Sequence, residues 1–418
     1  MAKQIAQKDR RRSSGRQTDI AVVGAGPVGL AAALLLARIG YRVALVAPPR
    51  QHADERTSAL LAGSIELLER IGIWPELSPQ AAPLRTIRIV DATGRLIRAP
   101  EVAFDSSEIG LDAFGYNIPN AALLDALETA SERSGIVWHR TSAEDIAPGD
   151  DAVSIRLADA TTVTASLVVA ADGRGSKTRA AAGISVSAWR YNQAALVVNL
   201  RHARPHDHTS TEFHTPTGPF TLVPLPGSRS SLVWVGSREE TEQRAALSDE
   251  DLASEIERLS ASILGAIEID GRRQVFPLAG MNADRFAARR IVLAGEAAHV
   301  FPPIGAQGLN LGYRDVAALG EILEGTMTDP GIDPGAEAVL AAFDRARRGD
   351  VFTRTAAVDV LNRTLLNGFL PVQGLRGLGL FLLDRVAPLR RAVMRQGVAA
   401  GLSTSAERVG RQVSGHDH

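Results

Sequence analysis

The sequence predicts an α/β protein. A parallel-sheet domain is assembled from separated segments, a mainly antiparallel β-sheet domain is inserted into it, and the C-terminal region is helical. Three observations predict this. Asp19 to Ala47 reads as strand, glycine turn, helix, strand. From about Gln193 to Ser237, short strands alternate with turns such as Gly218-Pro219 and Pro224-Leu225-Pro226-Gly227. A short apolar run then returns at Arg290 to Ala294, ahead of a helical end.

Each element has a local reason. Asp19 to Val23 is apolar and stops at Gly24, as a buried strand does. Val28 to Ile39 is rich in Ala and Leu, and Gly40 supplies a helix stop. Tyr41 to Ala47 is a second strand closed by Pro48-Pro49, which completes a right-handed βαβ unit. Leu84 to Ile97 reads as a hairpin turning at Asp91-Ala92-Thr93-Gly94. Asn120 to Ser134 reads as a helix, and Val153–Leu157 and Thr162–Val169 as strands. Ser248 to Leu264 and Asn310 to Glu324 read as helices, as does the chain after Pro334. The parallel-sheet domain is therefore expected from residues 18–80, 101–184 and 285–340, and the inserted domain from the hairpin at 81–100 and from 185–284. Residues 341–418 form the helical region, and residues 1–17 a disordered basic tail.

With 418 residues, the chain has room for two or three domains at roughly 100–200 residues each. A net charge of −1 gives no global field for nucleic acid, so none is expected as a partner. Without cysteine there are no disulfides, thiolate nucleophiles or cysteine-bound metals, and a cytoplasmic location is the expectation. No apolar run approaches the ~20 residues that span a bilayer. The start carries Lys3, Lys8, Arg10, Arg11, Arg12 and Arg16 against Asp9; weak attraction to an anionic membrane is the alternative to a plain tail.

Gly24-Ala25-Gly26-Pro27-Val28-Gly29 is a dinucleotide fingerprint between a strand and a helix. Gly24 permits the tight turn, Gly26 lets backbone approach a pyrophosphate, and Gly29 allows close helix–strand packing. The helix start offers unpaired N–H groups and partial positive charge to the phosphates. The fingerprint expects an acidic residue at the end of the second strand, where this chain has Ala47. Losing that charged hydrogen bond costs roughly 1.5–3 kcal/mol, with Arg50, Gln51 or water as candidate substitutes.

Two more motifs narrow the reading. Asp172-Gly173-Arg174-Gly175-Ser176-Lys177-Thr178-Arg179 follows a strand. Gly295-Glu296-Ala297-Ala298-His299 is followed by Phe301-Pro302-Pro303-Ile304-Gly305-Ala306-Gln307-Gly308-Leu309-Asn310. With the fingerprint, and in this order, they resemble the flavoprotein aromatic hydroxylases typified by para-hydroxybenzoate hydroxylase. Arg56-Thr57-Ser58-Ala59-Leu60, Phe213, Gly218 to Leu225 and Phe276-Pro277-Leu278 narrow the resemblance to the ubiquinone-biosynthesis hydroxylase family, over about residues 19 to 320.

The resemblance implies a Rossmann-like FAD-binding domain with an inserted substrate domain, and FAD as cofactor with NAD(P)H as a transient co-substrate. It places Gly24, Gly26, Pro27, Val28 and Gly29 at the FAD pyrophosphate, Arg56 near the phosphates, and Asn120 as a looser polar contact. Asp172 lies in the segment that serves FAD and NAD(P)H. Gly295 and Glu296 face the ribityl or ribose oxygens; the family more often has Asp at the second position. Gly305, Gln307, Gly308, Leu309 and Asn310 bring a helix start to the flavin N1–O2 edge, where negative charge is stabilised. His299, Pro302, Pro303 and Gly305 are the candidates beside the reacting atoms.

The implied activity is O2- and NAD(P)H-dependent hydroxylation of a polyprenylated phenol on the way to ubiquinone. Two alternatives stand beside it: hydroxylation of a small soluble aromatic acid, and a non-catalytic FAD-fold member of a biosynthetic complex. Blander readings accompany single residues. His299 is equally well a packed histidine that orients its loop. Pro302 and Pro303 stiffen that loop. His202, His206, His208 and His214 lack a metal-ligand pattern, so no metal site is expected. Trp74, Trp138, Trp189 and Trp234 read as packing. Leu375 to Leu402 mixes apolar residues with arginines; a docked helical tail is the plain reading, and peripheral contact with the inner face of a membrane the sharper one.

Overall fold

The computed structural model describes residues 18–51, 54–94, 100–302, 307–327, 332–366 and 385–399. The first elements are β1 (Thr18–Val23), α1 (Pro27–Ile39), β2 (Val43–Val46), β3 (Thr57–Leu61), α2 (Ala62–Arg70) and α3 (Trp74–Leu77). Next come β4 (Ala82–Leu84), β5 (Thr86–Asp91), β6 (Val102–Asp105), β7 (Gly115–Pro119), α4 (Asn120–Arg133), β8 (Val137–His139), β9 (Ala143–Pro148), β10 (Val153–Leu157), β11 (Thr162–Ala170) and α5 (Lys177–Ala181). The middle of the chain holds β12 (Val186–His202), β13 (Thr209–Thr215), β14 (Gly218–Leu225), β15 (Arg229–Ser237), α6 (Arg238–Ala245), α7 (Asp249–Leu259), β16 (Ile267–Ile269) and β17 (Gln274–Ala283). It closes with β18 (Ala287–Ala288), β19 (Ile291–Leu293), β20 (His299–Val300), α8 (Gln307–Met327), α9 (Glu337–Leu366) and α10 (Ala387–Ala399).

The first sheet carries five parallel strands in the order β8-β2-β1-β11-β19. Strand order reverses between β1 and β11, so a crevice opens there at the carboxyl ends, the usual nucleotide position in such sheets. Gly24 and Ala171 follow β1 and β11 at that point. Helix α1 starts with Pro27 at its first position and ends on Gly40, whose φ of 114° is left-handed. Leu30 to Leu36 are buried on every face, as expected of a helix packed between a sheet and a second helix. That second helix is α8. Its Gly320 lets Leu35 in: a Cβ there would lie 2.5 Å from Leu35 Cδ2.

The second sheet has nine strands, with β20-β17-β12-β15-β14-β13-β5-β6 in order and β16 on β12. Its pairings are antiparallel except β13 with β5. Helix α7 buries Leu252 and Ile256 in the same apolar cluster as Phe220, Leu222 and Trp234, and Phe220 meets Trp234 edge-on at 5.2 Å. Strand β20, from the loop after β19, pairs with β17. The two large sheets are thus joined at the Gly295–His299 segment.

Some elements depart from the sequence reading. Among the described residues β5 pairs antiparallel with β6, so the hairpin reaches beyond the expected end at Ile97. Asp91 closes the turn by accepting from Thr93 N and Oγ1, and residues 95–99 lie outside the described residues. Residues 102–105, grouped above with the parallel-sheet domain, therefore belong to the second sheet. The helix expected to reach Leu264 stops at Leu259, where Ala261 and Ser262 turn left-handed with φ of 51° and 52°. A small third sheet, β3-β7-β4, was not expected at all. The basic tail and most of Leu375 to Leu402 lie outside the described residues. The described part of that stretch, in α10, docks on β6 through Met394, which is buried with Phe104 and Phe114. Arg390 Nε also donates to Glu108 Oε2 at 2.9 Å. Among the described residues, no helix is long and apolar enough to cross a membrane.

The α1–α8 contact gives a first test. A Cβ at Gly312 would sit 2.6 Å from Val28 Cγ2 and 3.2 Å from Gly295 Cα. Gly312→Val is expected to destabilise the fold by about 1–3 kcal/mol, measured as a lower midpoint in urea denaturation.

Candidate cofactor site

The fingerprint glycines sit where side chains cannot. A Cβ on Gly24 would lie 2.2 Å from Ala171 O, and one on Gly29 would lie 2.0 Å from Gly24 O. Gly24 also needs a φ of +109°. Gly26 differs: it is the N-cap of α1, has nothing within 4 Å of its Cβ position, and makes no side-chain cap. The first turn of α1 has no acidic residue. Its N–H groups and dipole are left to an outside anion, and a backbone cradle without Cβ atoms lets a pyrophosphate approach.

The second and third motifs close on the first. Val28 packs its methyl and Cβ atoms 3.0–3.3 Å from where a Gly295 Cβ would be. Arg179 NH1 donates to Ala297 O and NH2 to Arg174 O, both at 2.9 Å. Arg174 Nε in turn donates to Glu296 Oε2 at 3.0 Å. The Asp172 carboxylate is used within its own loop: it accepts from Ser176 Oγ at 2.5 Å and from Thr178 N and Oγ1 at 3.1 and 2.9 Å. Asp172 therefore fixes the entry to α5 by the same chemistry as a helix cap.

From Ile291 to Pro302 every residue is buried except Glu296, whose side chain is 54% exposed. The backbone is held in the interior while one carboxylate projects toward the crevice rim. Arg56 lies near enough for Glu296 to favour its charged form, although Asp54 contributes more. Asp54 grips Arg56 at 2.8 and 2.6 Å, and the guanidinium lies 5.4 Å over the Phe276 ring of the second sheet. Asn120 starts α4 and ties this corner together: its amide donates to Asp54 Oδ2 at 3.0 Å and accepts from Ser58 Oγ at 2.7 Å.

The second strand ends as the sequence indicated, without a carboxylate. Ala47 is buried, and its carbonyl accepts from Trp138 Nε1 at 3.2 Å. Arg50, one candidate substitute, is engaged by Asp125 and Glu128 of α4.

The start of α8 is pinned by Asn310. Its Oδ1 accepts from Leu61 N at 2.8 Å and Ser64 Oγ at 2.7 Å, and its Nδ2 donates to Ala59 O at 2.8 Å. Leu309 is half-buried and Gly308 exposed. Pro302 is buried; Pro303 and Gly305 lie outside the described residues, as does the Gln307 side chain. His299 is enclosed. Its side chain is 0% exposed, and Nε2 lies 2.7 Å from Asp315 Oδ2. That is the placement of a packed, hydrogen-bonded histidine.

Sequence reasoning missed the charges behind His299. Asp315 also accepts from Gly295 N at 2.9 Å and from Arg347 Nε at 2.7 Å. Arg347 NH1 reaches Asp350 Oδ2 at 2.8 Å, and Asp350 takes two bonds of 2.9 Å from Arg314. Burial alone raises the Asp315 carboxyl, but His299 and Arg347 outweigh it and hold it below the usual range. Asp350 is likewise raised by burial, yet Arg314 and Arg347 bring it down to about 2. A single sequence gives no signal for this, because charges on amphipathic helices read as solvated. Three of the histidines weighed above are tied to protein atoms: His202 to Arg204 O and Ser230, His206 to Leu225 O, and His214 to Glu212.

Residues 17–347 match the profile of the family described as the FAD binding domain. The chain belongs to that family. The uncapped α1, the glycine cradle and the projecting Glu296 fit its cofactor, FAD. Among similar proteins is ubiquinone hydroxylase UbiL of Rhodospirillum rubrum, 35% identical, with 92% of this chain and 90% of that protein aligned. The 3-demethoxyubiquinol 3-hydroxylase of Escherichia coli is 32% identical over 91% of this chain and 98% of that one. In fold, p-nitrophenol 4-monooxygenase of Pseudomonas putida superposes with a TM-score of 0.75 at 19% identity, covering 92% and 98% of the two chains.

The charge cluster predicts a pH dependence. The Asp350 carboxyl is near 2 when folded and about 3.9 when unfolded, so its stabilisation is present above about pH 4 and lost as pH falls toward 2. Asp350→Asn is expected to cost roughly 2 kcal/mol at neutral pH, and urea denaturation should find that difference shrinking over this acid window.

Proposed function

We propose that this flavoprotein is a monooxygenase that hydroxylates a polyprenylated phenol intermediate of ubiquinone biosynthesis, with O2 and NAD(P)H as co-substrates. The observation that carries the reading is the full-length similarity to ubiquinone hydroxylases, across both large sheets and not the nucleotide motif alone. The human mitochondrial relative, a ubiquinone biosynthesis monooxygenase, matches at 27% identity over 92% of this chain. These relatives do not favour either a small aromatic acid as substrate or a non-catalytic role.

In this reading each cluster has a task. Gly24, Gly26 and Gly29, with Pro27 and Val28, receive the pyrophosphate on the start of α1. Glu296 accepts from sugar or ribityl hydroxyls, and Gly295 lets the backbone approach. Arg56 exchanges part of its pairing with Asp54 for a cofactor phosphate, and Asn120 keeps Asp54 in place. Asp172 and Arg179 set the loop on the opposite wall, where NAD(P)H meets the cofactor transiently. Gly305, Gln307, Gly308, Leu309 and Asn310 present the start of α8 to the N1–O2 edge of the flavin, where its dipole stabilises negative charge. Bound flavin supplies the redox and oxygen-transfer chemistry; the chain binds, orients and excludes water. His299 acts by orienting this wall, and Pro302 and Pro303 stiffen its loop.

The lipid-tailed substrate gives the C-terminal region a use. Helix α10 carries exposed Leu389, and Val386 just ahead of it is also exposed; the nearby arginines complete a surface suited to peripheral contact with an anionic membrane. Docking on β6 through the opposite, buried Met394 anchors the helix on the second sheet and leaves Val386 and Leu389 exposed.

The purified protein should be yellow, with flavin absorbance. Gly26→Trp should abolish flavin retention. Cells lacking the protein should accumulate a prenylated ring one hydroxyl short of the next quinone precursor; an unchanged quinone profile contradicts the assigned substrate. In liposome flotation, removal of residues 370–418 should reduce recovery with anionic vesicles, and equal recovery contradicts membrane contact.

A further inference from the structure

Three donors from two separate stretches meet on one fully buried carboxylate that stands on a third. Asp315 Oδ2 accepts from Gly295 N at 2.9 Å and from His299 Nε2 at 2.7 Å, and Oδ1 accepts from Arg347 Nε at 2.7 Å. Asp315 and His299 are each 0% exposed in their side chains, and Arg347 is 4% exposed. Asp315 stands on α8, whose first turn is pinned to β3 and α2 by Asn310. Gly295 and His299 bracket Glu296 on the loop after β19, and Arg347 comes from α9.

We propose that Asp315, neutralised by Arg347, is a positioning residue that fixes the Glu296 loop relative to the start of α8, and so sets the geometry in which the flavin is held. The inference rests on the flavin reading of the site but goes beyond it, since Asp315 is placed to touch no cofactor. Its effect passes through Gly295 N–H and the His299 ring. The two walls it joins are those between which the flavin's sugar and ring portions lie in that reading.

Chemistry explains why a carboxylate stands here. An ionised carboxylate is acceptor-only and takes three donors at once. An amide of the same shape has one acceptor oxygen, and its NH2 would face either Arg347 or the Gly295–His299 pair. Accepting from Nε2 also fixes the His299 tautomer, with its proton toward Asp315. A buried carboxylate without a cation is strongly unfavourable, so Arg347 is a required partner. Asp350 and Arg314 complete an alternating row in which each carboxylate touches a guanidinium.

The test compares wild type, Asp315→Asn and Arg347→Lys for far-UV CD, FAD dissociation constant by titration of the apoprotein, and visible CD of bound flavin. Asp315→Asn should keep its secondary structure, bind FAD at least tenfold more weakly, and show an altered visible CD band. Arg347→Lys keeps the charge but not the planar fork, and should show the same changes to a smaller degree. A folded Asp315→Asn protein with wild-type FAD affinity and visible CD overturns the proposal. If Asp315→Asn does not fold, Arg347→Lys decides on the same readouts: a looser, spectrally altered flavin supports the proposal, and unchanged values overturn it. A wild-type protein that takes up no FAD would instead sink the flavin reading itself.

Discussion

The close approach of backbone to backbone at the carboxyl ends of β1 and β11 is the constraint on which the rest depends. Gly24 and Gly29 carry no Cβ because Ala171 O and Gly24 O occupy the space. That approach lets α1 start immediately above the sheet, with its uncapped N–H groups at the strand-order reversal. It also draws Val28 onto Gly295, so that motifs more than 250 residues apart in sequence share one crevice. Once the glycines fix this spacing, α8 has one place to pack, and Gly312 and Gly320 are the positions where it comes closest.

Around that constraint the protein uses two kinds of polar chemistry. At the crevice rim, Arg174, Glu296, Arg56 and Asp54 are partly exposed, so their mutual attraction is weak and they are free to exchange partners with a charged ligand. Behind the crevice, Asp315, Arg347 and His299 are enclosed, and the Asp315 carboxylate takes its donors from within the protein. An exchangeable rim on a fixed interior is the arrangement expected where a flexible cofactor must be held in one pose. The second sheet adds its own anchor through the pairing of β20 with β17, which places the inserted strands directly against the Gly295–His299 segment.

The nucleotide half of the fold was legible because its signals are local. Strand–glycine–helix spacing, Gly40 at the end of α1 and the apolar return at Ile291 to Leu293 each declare themselves within a few residues. The three motifs were legible as chemistry for the same reason. What stayed hidden depends on distant partners. Strand β3 exists because Thr57 to Leu61 pairs with Gly115 to Pro119, and nothing in its five residues announces that. The α7 helix seemed longer because Leu264 extends an apolar period, yet that side chain is buried from a turn. The Asp315–Arg347 pair spans 32 residues on two helices, and its burial follows from tertiary packing alone. His299 was visible as a residue of interest, but whether it faces outward or inward depended on Asp315.

The account stands on a single cradle formed by three distant stretches, and amide hydrogen exchange of the apoprotein with and without FAD tests it most directly. Residues 24–29, 172–179 and 295–310 should gain protection together, with half-effects at the same FAD concentration. Protection confined to one stretch, or arising elsewhere on the molecule, would contradict it.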